Sequence, residues 1–390
     1  MKILIANPGS TSFKCKLLDM DLDQTLFSAT IERIGDTEGI CTFQWQKSDP
    51  VTGHMAIPNY PAALKLTLDR LAERMSVDDV AAIGFKTVLA KDVSGCVELT
   101  DEVLQAMEDY LPLAPVHNRV YLDVIYAFKE VTDLPLVGLF ETSFHNEIPP
   151  EAFLYGIPYR YYEKHGIRKY GFHGASHRYI SEYTTANLAG GRTDITVISC
   201  HLGGSSSVCA IRNGVSVDTS MGMSPQSGLL NAKRNGDLDT FALLYLMERE
   251  GLSIDQARNM LITEGGVLGI SELSADFRDI EAAMDQGNEK AGVAFNTFCY
   301  YVRRYIGEYL AVLNGADYIV FTAGMGENQP RVRTAIIANM ENLGIAIDEK
   351  KNAKNCEIIS TENSRTTVAV VPTNEETIVA RSVREFIETR

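Results

Sequence analysis

Two histidines stand four residues apart in the run Lys169-Tyr170-Gly171-Phe172-His173-Gly174-Ala175-Ser176-His177. On a helix that spacing puts both imidazoles on one face, as a metal pair would need. Gly174 between them and the lack of a third ligand nearby argue against zinc, which leaves His173 as a satisfied structural residue or as one with a functional role. A second loop, Asp218-Thr219-Ser220-Met221-Gly222-Met223-Ser224-Pro225, is followed by Lys233-Arg234-Asn235-Gly236-Asp237. A cation inside a Gly/Asn/Ser loop of an acidic chain is a candidate for holding an anion; the plainer reading is a solvated loop tip. The apolar run from Tyr318 to Thr322 leads into Ala323-Gly324-Met325-Gly326-Glu327-Asn328. Its two glycines let backbone approach a nucleotide closely, although a G-x-G alone is equally a tight connection. Near the C-terminus, Thr373-Asn374-Glu375-Glu376 follows another apolar strand. Thr373 and Glu376 have capping-box spacing, which is compatible with metal binding by Glu375.

The elements that must carry these residues show an internal repeat. ILIANPGSTSFKCKLL (3–18) and ISCHLGGSSSVCAIRN (198–213) are each an apolar run, a Gly/Ser turn and a second partly apolar run. Aligning Gly9-Ser10-Thr11-Ser12 with Gly204-Ser205-Ser206-Ser207 sets the copies 195 residues apart, half of the 390-residue chain. A chance match of two hairpins is the alternative on this stretch alone. Turns of this kind present backbone N–H and hydroxyl donors in a concave array suited to phosphate oxygens. Apolar spacings of three and four predict helices over 61–75, 119–130, 174–189, 239–250, 254–262 and 290–313; strands are expected at 135–140, 195–200, 317–322 and 366–371. This alternation predicts α/β layers in two lobes, with a break at Asn146-Glu147-Ile148-Pro149-Pro150.

Composition narrows the function. A hydrophobic content of 45% with 22% charged residues is that of a folded globular chain, and a net charge of −15 repels nucleic acid and anionic lipid. No nucleic-acid or membrane partner is therefore expected. Seven cysteines without C-x-x-C spacing indicate neither a disulfide framework nor a zinc site. The chain opens directly on a strand-like run, Met1-Lys2-Ile3-Leu4-Ile5-Ala6, rather than a signal peptide, so a cytoplasmic protein is expected.

The motifs RKYGFHGASH, DTSMGMSP, RNGD, ISELSADFRDI, FTAGMGEN and PTNEE together resemble those of the acetate kinase (acetokinase) family, in family order and over almost the whole chain, Asn7 to Arg381. The resemblance implies a duplicated ribonuclease H-like α/β fold, that of actin, hexokinase and the heat-shock ATPases, with two domains and an interdomain cleft: a first lobe of 1–148 plus about 379–390, and a nucleotide-binding lobe of 149–378. It implies phosphorylation of a short-chain carboxylate by ATP, reversible to ADP and acyl phosphate, with Mg²⁺ (or Mn²⁺) as metal and a homodimer as assembly. Carried over residue by residue, it places Asn7 and Glu375 at the metal. It matches Lys14, His201, Leu202, Gly203, Gly204, Ser205, Asp276, Phe277, Arg278 and the turn Gly324, Met325, Gly326, Glu327 and Asn328 to nucleotide contacts. His173 and Arg234 match the groups that stabilise the phosphoryl group in flight. Val88, Val116, Phe172 and Pro225 match the pocket for the acid's methyl group, with His117 beside it.

Three departures fall at the acid-binding end and at one phosphate turn. Lys86 stands where the family has an arginine that grips the substrate carboxylate; a lysine keeps the charge and loses the bidentate fork. Glu141 replaces the active-site aspartate, and Gly204-Ser205 replaces a usual Asn-Gly. Acetate or propionate is the default substrate. The alternatives are another small acid, or a nucleotide-binding relative with little transferase activity.

Overall fold

Strands pair off from the start of the chain: β1 (Lys2–Pro8), β2 (Ser12–Asp19), β3 (Gln24–Glu32), β4 (Gly39–Trp45) and β5 (Val51–Met55) run antiparallel to one another in sequence order, with burial alternating along β2, β3 and β4. On the other side of β1, β6 (Val80–Thr87) and β8 (Leu136–Phe140) are parallel, and short β7 (Cys96–Glu98) closes that edge. The sheet order is β5-β4-β3-β2-β1-β6-β8-β7. The computed structural model describes residues 1–9 and 11–390, with side chains except at 116 and 117. Ser10 and the side chains of Val116 and His117 thus lie outside the described residues.

A second sheet repeats the central pattern. β9 (Thr196–Leu202), β10 (Ser206–Arg212) and β11 (Val215–Thr219) are antiparallel, while β12 (Tyr318–Thr322) and β13 (Thr367–Val370) continue from β9 in parallel, giving β11-β10-β9-β12-β13. Strand for strand this is β3-β2-β1-β6-β8, so the repeat seen in the sequence is a repeated sheet. The two hairpins differ at the turn: residues 9–12 lie between the innermost pair Pro8 and Phe13, and 203–205 between Leu202 and Ser206, so the second turn is one residue shorter.

Each sheet lies in its own unit, Met1–Ser143 with Asn374–Arg390, and Phe144–Thr373. The sequence reading sets the breaks at 148 and about 378. In the second unit one face of β9 and β10, with Ile198, Cys200, Leu202 and Val208, packs on Phe295, Phe298, Val302, Ile306 and Tyr309 of the 25-residue helix Glu289–Leu313. That helix begins on Asn288, whose side chain accepts from the Ala291 amide, and ends on Asn314 in the left-handed region. The opposite face, with Val197, Cys209 and Ile211, packs around Ile180 of the helix Gly174–Tyr183. Among the described residues no helix is long and apolar enough to cross a membrane.

Two local expectations change. The two-glycine turn is a short helix, Ala323–Asn328, entered through Ala323 at φ 64°. The C-terminal helix Glu375–Glu388 is capped by Asn374, whose Oδ1 accepts from the Thr377 amide at 3.2 Å, and not by Thr373. Asparagine one residue later satisfies the same orphan amides, which frees the Thr373 hydroxyl for Ser176.

That C-terminal helix packs on β6 where Gly84 leaves room: a Cβ there would stand 2.8 Å from Ile5 Cδ1 and 3.0 Å from Val383 Cγ2. Gly84→Val should lower unfolding stability by about 1–3 kcal/mol through overpacking. Urea midpoints of the two proteins measure it; equal midpoints would mean the helix is free to move away.

Candidate functional site

In the second unit a cavity of about 650 Å³ is walled by Gly203 and Gly204 after β9, by Ala275 to Arg278 at the start of the helix Phe277–Asp285, and by Gly324, Met325, Asn328 and Gln329. Glycine on two sides brings backbone close to any occupant. Asp276 caps its helix by accepting from the Arg278 amide at 2.9 Å and also takes the Arg278 guanidinium at 2.5 Å; the hydrogen bonds from Arg278 pull its carboxyl down to about 2. Of the residues matched to nucleotide contacts, Gly203, Gly204, Asp276, Phe277, Arg278, Gly324, Met325 and Asn328 line this cavity, while His201, Leu202, Ser205, Gly326 and Glu327 do not. Glu327 spends its carboxylate on the amides of Ala323 (2.8 Å) and Thr373 (3.2 Å). Lys14 is exposed on β2 of the first unit.

Arg333, invisible to motif reading, holds the short helix from behind. Fully buried, it donates to the carbonyls of Gly326 (2.8 Å) and Glu327 (3.1 Å) and to Asn352 and Asn355. Burial lowers its pKa to about 10, and it remains a cation at neutral pH. These bonds satisfy carbonyls that a six-residue helix cannot pair internally.

His173 precedes the helix Gly174–Tyr183 with φ 56°, in the left-handed region. Its ring stacks on His201 at 4.1 Å and 20°, and its Nδ1 lies 2.8 Å from Ser207 Oγ. The same Ser207 hydroxyl is 2.8 Å from Nε2 of buried His177, whose Nδ1 is 2.8 Å from Ser199 Oγ. The two histidines thus share a serine and not a metal. His201 Nδ1 meets Ser176 Oγ at 2.8 Å, and Ser176 meets Thr373. His145, against His177 at 5.9 Å, completes the group through Ser216 and the Phe172 carbonyl. Gly171 is obligatory here: at φ 78° its missing Cβ would fall 2.6 Å from the His145 ring.

Arg234 is partly buried, and burial brings its pKa down to about 10. Its guanidinium donates to the Pro225 carbonyl at 2.9 Å and, among the described residues, forms no ion pair. The loop is pinned by Asp237, which accepts from the Gly228 amide (2.7 Å), the Tyr305 hydroxyl (2.7 Å) and Arg304 (2.6 Å). A guanidinium fixed by a loop and left without a carboxylate has the charge and donors to hold an anion.

The first unit holds a separate ionic cluster. Lys86 at the end of β6 pairs with Glu375 Oε2 at 2.6 Å and lies 3.9 Å from Glu141 Oε1. Burial alone would lower the Lys86 pKa; the two carboxylates outweigh it and hold the ammonium above its ordinary range. Tyr121 stands beside them, its hydroxyl pushed up to about 12 by burial and by both glutamates against the opposing Lys86, and it donates to Asn7 Oδ1 at 3.4 Å. Val88 follows β6 in this unit; Phe172 and Pro225 belong to the other.

Burial holds His145 at about 4 and His177 well below the usual 6.5, so the fold keeps both neutral. The sign follows: stability from these groups is complete above pH 6.5 and is lost as pH falls toward 4, because the unfolded chain takes up protons that the fold refuses. The slope approaches about 1.4 kcal/mol per pH unit for each histidine. Urea midpoints between pH 7 and 4.5 for the parent and His145→Asn measure it; parallel curves would deny His145 the effect.

The chain matches the family model described as the acetokinase family over residues 2–381. The acetate kinase of Natranaerobius thermophilus is 42% identical, with 99% of this chain and all of that one aligned. Among solved structures, Porphyromonas gingivalis acetate kinase is 35% identical with a TM-score of 0.87 over 99% of both chains. A propionate kinase from Francisella tularensis is 32% identical with a TM-score of 0.90 over 98% of both. With its doubled sheet, its glycine-walled cavity and its motifs in order, this chain belongs to the acetokinase family.

Proposed function

We propose that the protein transfers the terminal phosphoryl group of ATP to a short-chain carboxylate, acetate or propionate, and runs the reverse reaction from acyl phosphate and ADP. The observation that carries this reading is the Arg234 guanidinium, partly buried, fixed by its loop and left without a carboxylate partner among the described residues. A carboxylate substrate is already ionised at neutral pH, since its pKa is about 4, so the chain need not activate it by removing a proton. The work left is to neutralise charge around a planar phosphoryl group and to orient it. Arg234 supplies fixed positive charge and His173 a ring N–H. The cavity bounded by Gly203, Gly204, Asp276, Phe277, Arg278 and Gly324 takes the adenine nucleotide.

The donors proposed for Mg²⁺, the Asn7 amide oxygen and the Glu375 carboxylate, are hard oxygen ligands of the kind that ion takes, and Tyr121 neighbours both. Among the described residues no three His, Cys, Asp or Glu side chains converge as a metal cage, which suits an ion held largely by phosphate oxygens. When bound, it screens the negative charge of the phosphates. The homodimer that the family resemblance implies, and a cytoplasmic location, belong to the same proposal.

Lys86 favours a second reading of the acid. Its ammonium is engaged by Glu375 and Glu141, so it grips a substrate carboxylate less firmly than a free arginine fork would. A pocket retuned for another small acid is consistent with that.

Trapping acyl phosphate as hydroxamate across a panel of acids tests the proposal. Acetate or propionate should give product, and a protein that binds ATP and yields none with any acid would sink it. Arg234→Ala should lower kcat by roughly 10³-fold or more with ATP affinity nearly unchanged. For Lys86→Arg and Glu141→Asp, acetate kcat/KM in a double-mutant cycle should show coupling of about 0.5–3 kcal/mol, because the two side chains touch the same charge cluster. Additive effects would separate them.

A further inference from the structure

His173 is backed by more hydroxyl and imidazole than one hydrogen-bond donor requires, and the protons of that group can be counted. A neutral imidazole carries a single N–H, and His177 is buried and neutral. With that proton on Nδ1, His177 would donate to Ser199, a buried residue whose hydroxyl has His177 as its one hydrogen-bond partner among the described residues. The Ser199 hydrogen would then be buried without an acceptor, which folded proteins avoid. With the proton on Nε2, every donor is satisfied: Ser199 donates to His177 Nδ1, and His177 Nε2–H donates to Ser207 Oγ. The Ser207 hydrogen is left to donate to His173 Nδ1 at 2.8 Å. A neutral His173 whose Nδ1 accepts carries its own proton on Nε2.

We propose that Ser199, His177 and Ser207 form a one-way hydrogen-bond relay that holds His173 as its Nε2–H tautomer, the form that donates to a phosphoryl oxygen without carrying a charge. Ser207 and His177 are then positioning residues that act through His173. The relay itself stands on the hydrogen-bond geometry; its consequence for turnover rests on the phosphotransferase reading above. An arginine beside the reacting group and a neutral donor on this side divide the work, charge from Arg234 and direction from His173.

The test is long-range proton–nitrogen NMR on the full-length protein labelled with [¹⁵N]histidine, the His173 signals being assigned by their loss in His173→Gln. In the parent, Nε2 of His173 should be protonated and Nδ1 bare; a proton on Nδ1 overturns the relay, and this needs no variant at Ser207. Ser207→Ala should release the preference into a mixture, and Ser207→Thr, which keeps the hydroxyl, should restore it. An unaltered Nε2–H signal in Ser207→Ala also overturns the relay. In turnover, Ser207→Ala should lower kcat about 10-fold or more with KM for ATP changed less than about 2-fold, and Ser207→Thr should recover most of it. A changed tautomer with unchanged kcat overturns donation to the phosphoryl group. Absence of acyl hydroxamate from the parent would defeat the phosphotransferase reading, while the parent spectrum still decides the relay.

Discussion

The register of β9 against β10 is the constraint on which the second unit depends. It sets Ser207 opposite His201 and Cys209 opposite Ser199, so Ser199, His201 and Ser207 share one face of the sheet. Cys200, Leu202 and Val208 take the other, against the phenylalanines of the long helix. Side chains alternate with a period of two, and a slip of one residue on either strand would turn its serines or histidine into that apolar core. Burial of aromatic surface at about 25 cal/mol per Å² therefore orients the polar group as well as stabilising the sheet. The polar face is specified by the packing of the opposite face.

The first unit uses the same strand pattern for a different chemistry. In β1 and β2, Asn7 is paired with Lys14 near the first small-residue turn. Lys86 and Glu141 come from the ends of the adjacent parallel strands, and Glu375 from the first turn of the helix that packs over Gly84. Glu375 at a helix N-terminus is favoured by the helix dipole whether or not it holds a cation. The duplicated scaffolds carry these groups on non-equivalent strands: imidazole and hydroxyl on β9 and β10, which match β1 and β2, and ammonium and carboxylate at the ends of β6 and β8, which match β12 and β13.

Local patterning revealed the strand–turn–strand copies, the long helix and the order of the motifs, because each depends on residues close in sequence. The histidine group was legible at His173, His177 and His201: His145, Ser199 and Ser207 become their neighbours through strand pairing, and no spacing announces that. Arg333 was missed because a fully buried arginine bonded to carbonyls leaves no charge partner to search for. Lys86 was visible as a departure, but its main partner, Glu375, lies 289 residues away, beyond the reach of any local pattern. The misplaced cap at Thr373 and the turn that proved to be a helix are boundary effects, where neighbouring polar residues compete for the same few amides.

Charge decides what remains. A chain of net charge −15 that handles two anionic substrates must keep some cations away from its own carboxylates. Arg278 is tied to Asp276 and Lys86 to Glu375, while Arg333 is consumed by backbone carbonyls. Arg234 alone of these four cations has neither fate: a single hydrogen bond to Pro225 orients it without neutralising it. Desolvation, which lowers its pKa to about 10, also raises its appetite for an anion, since a partly buried charge is stabilised more by a partner than a solvated one is. The buried, neutral His145 and His177 fit the same economy of charge; under the proposed phosphotransfer, a cationic His173 would oppose Arg234 at the phosphoryl group, whereas an N–H dipole adds to it without repulsion.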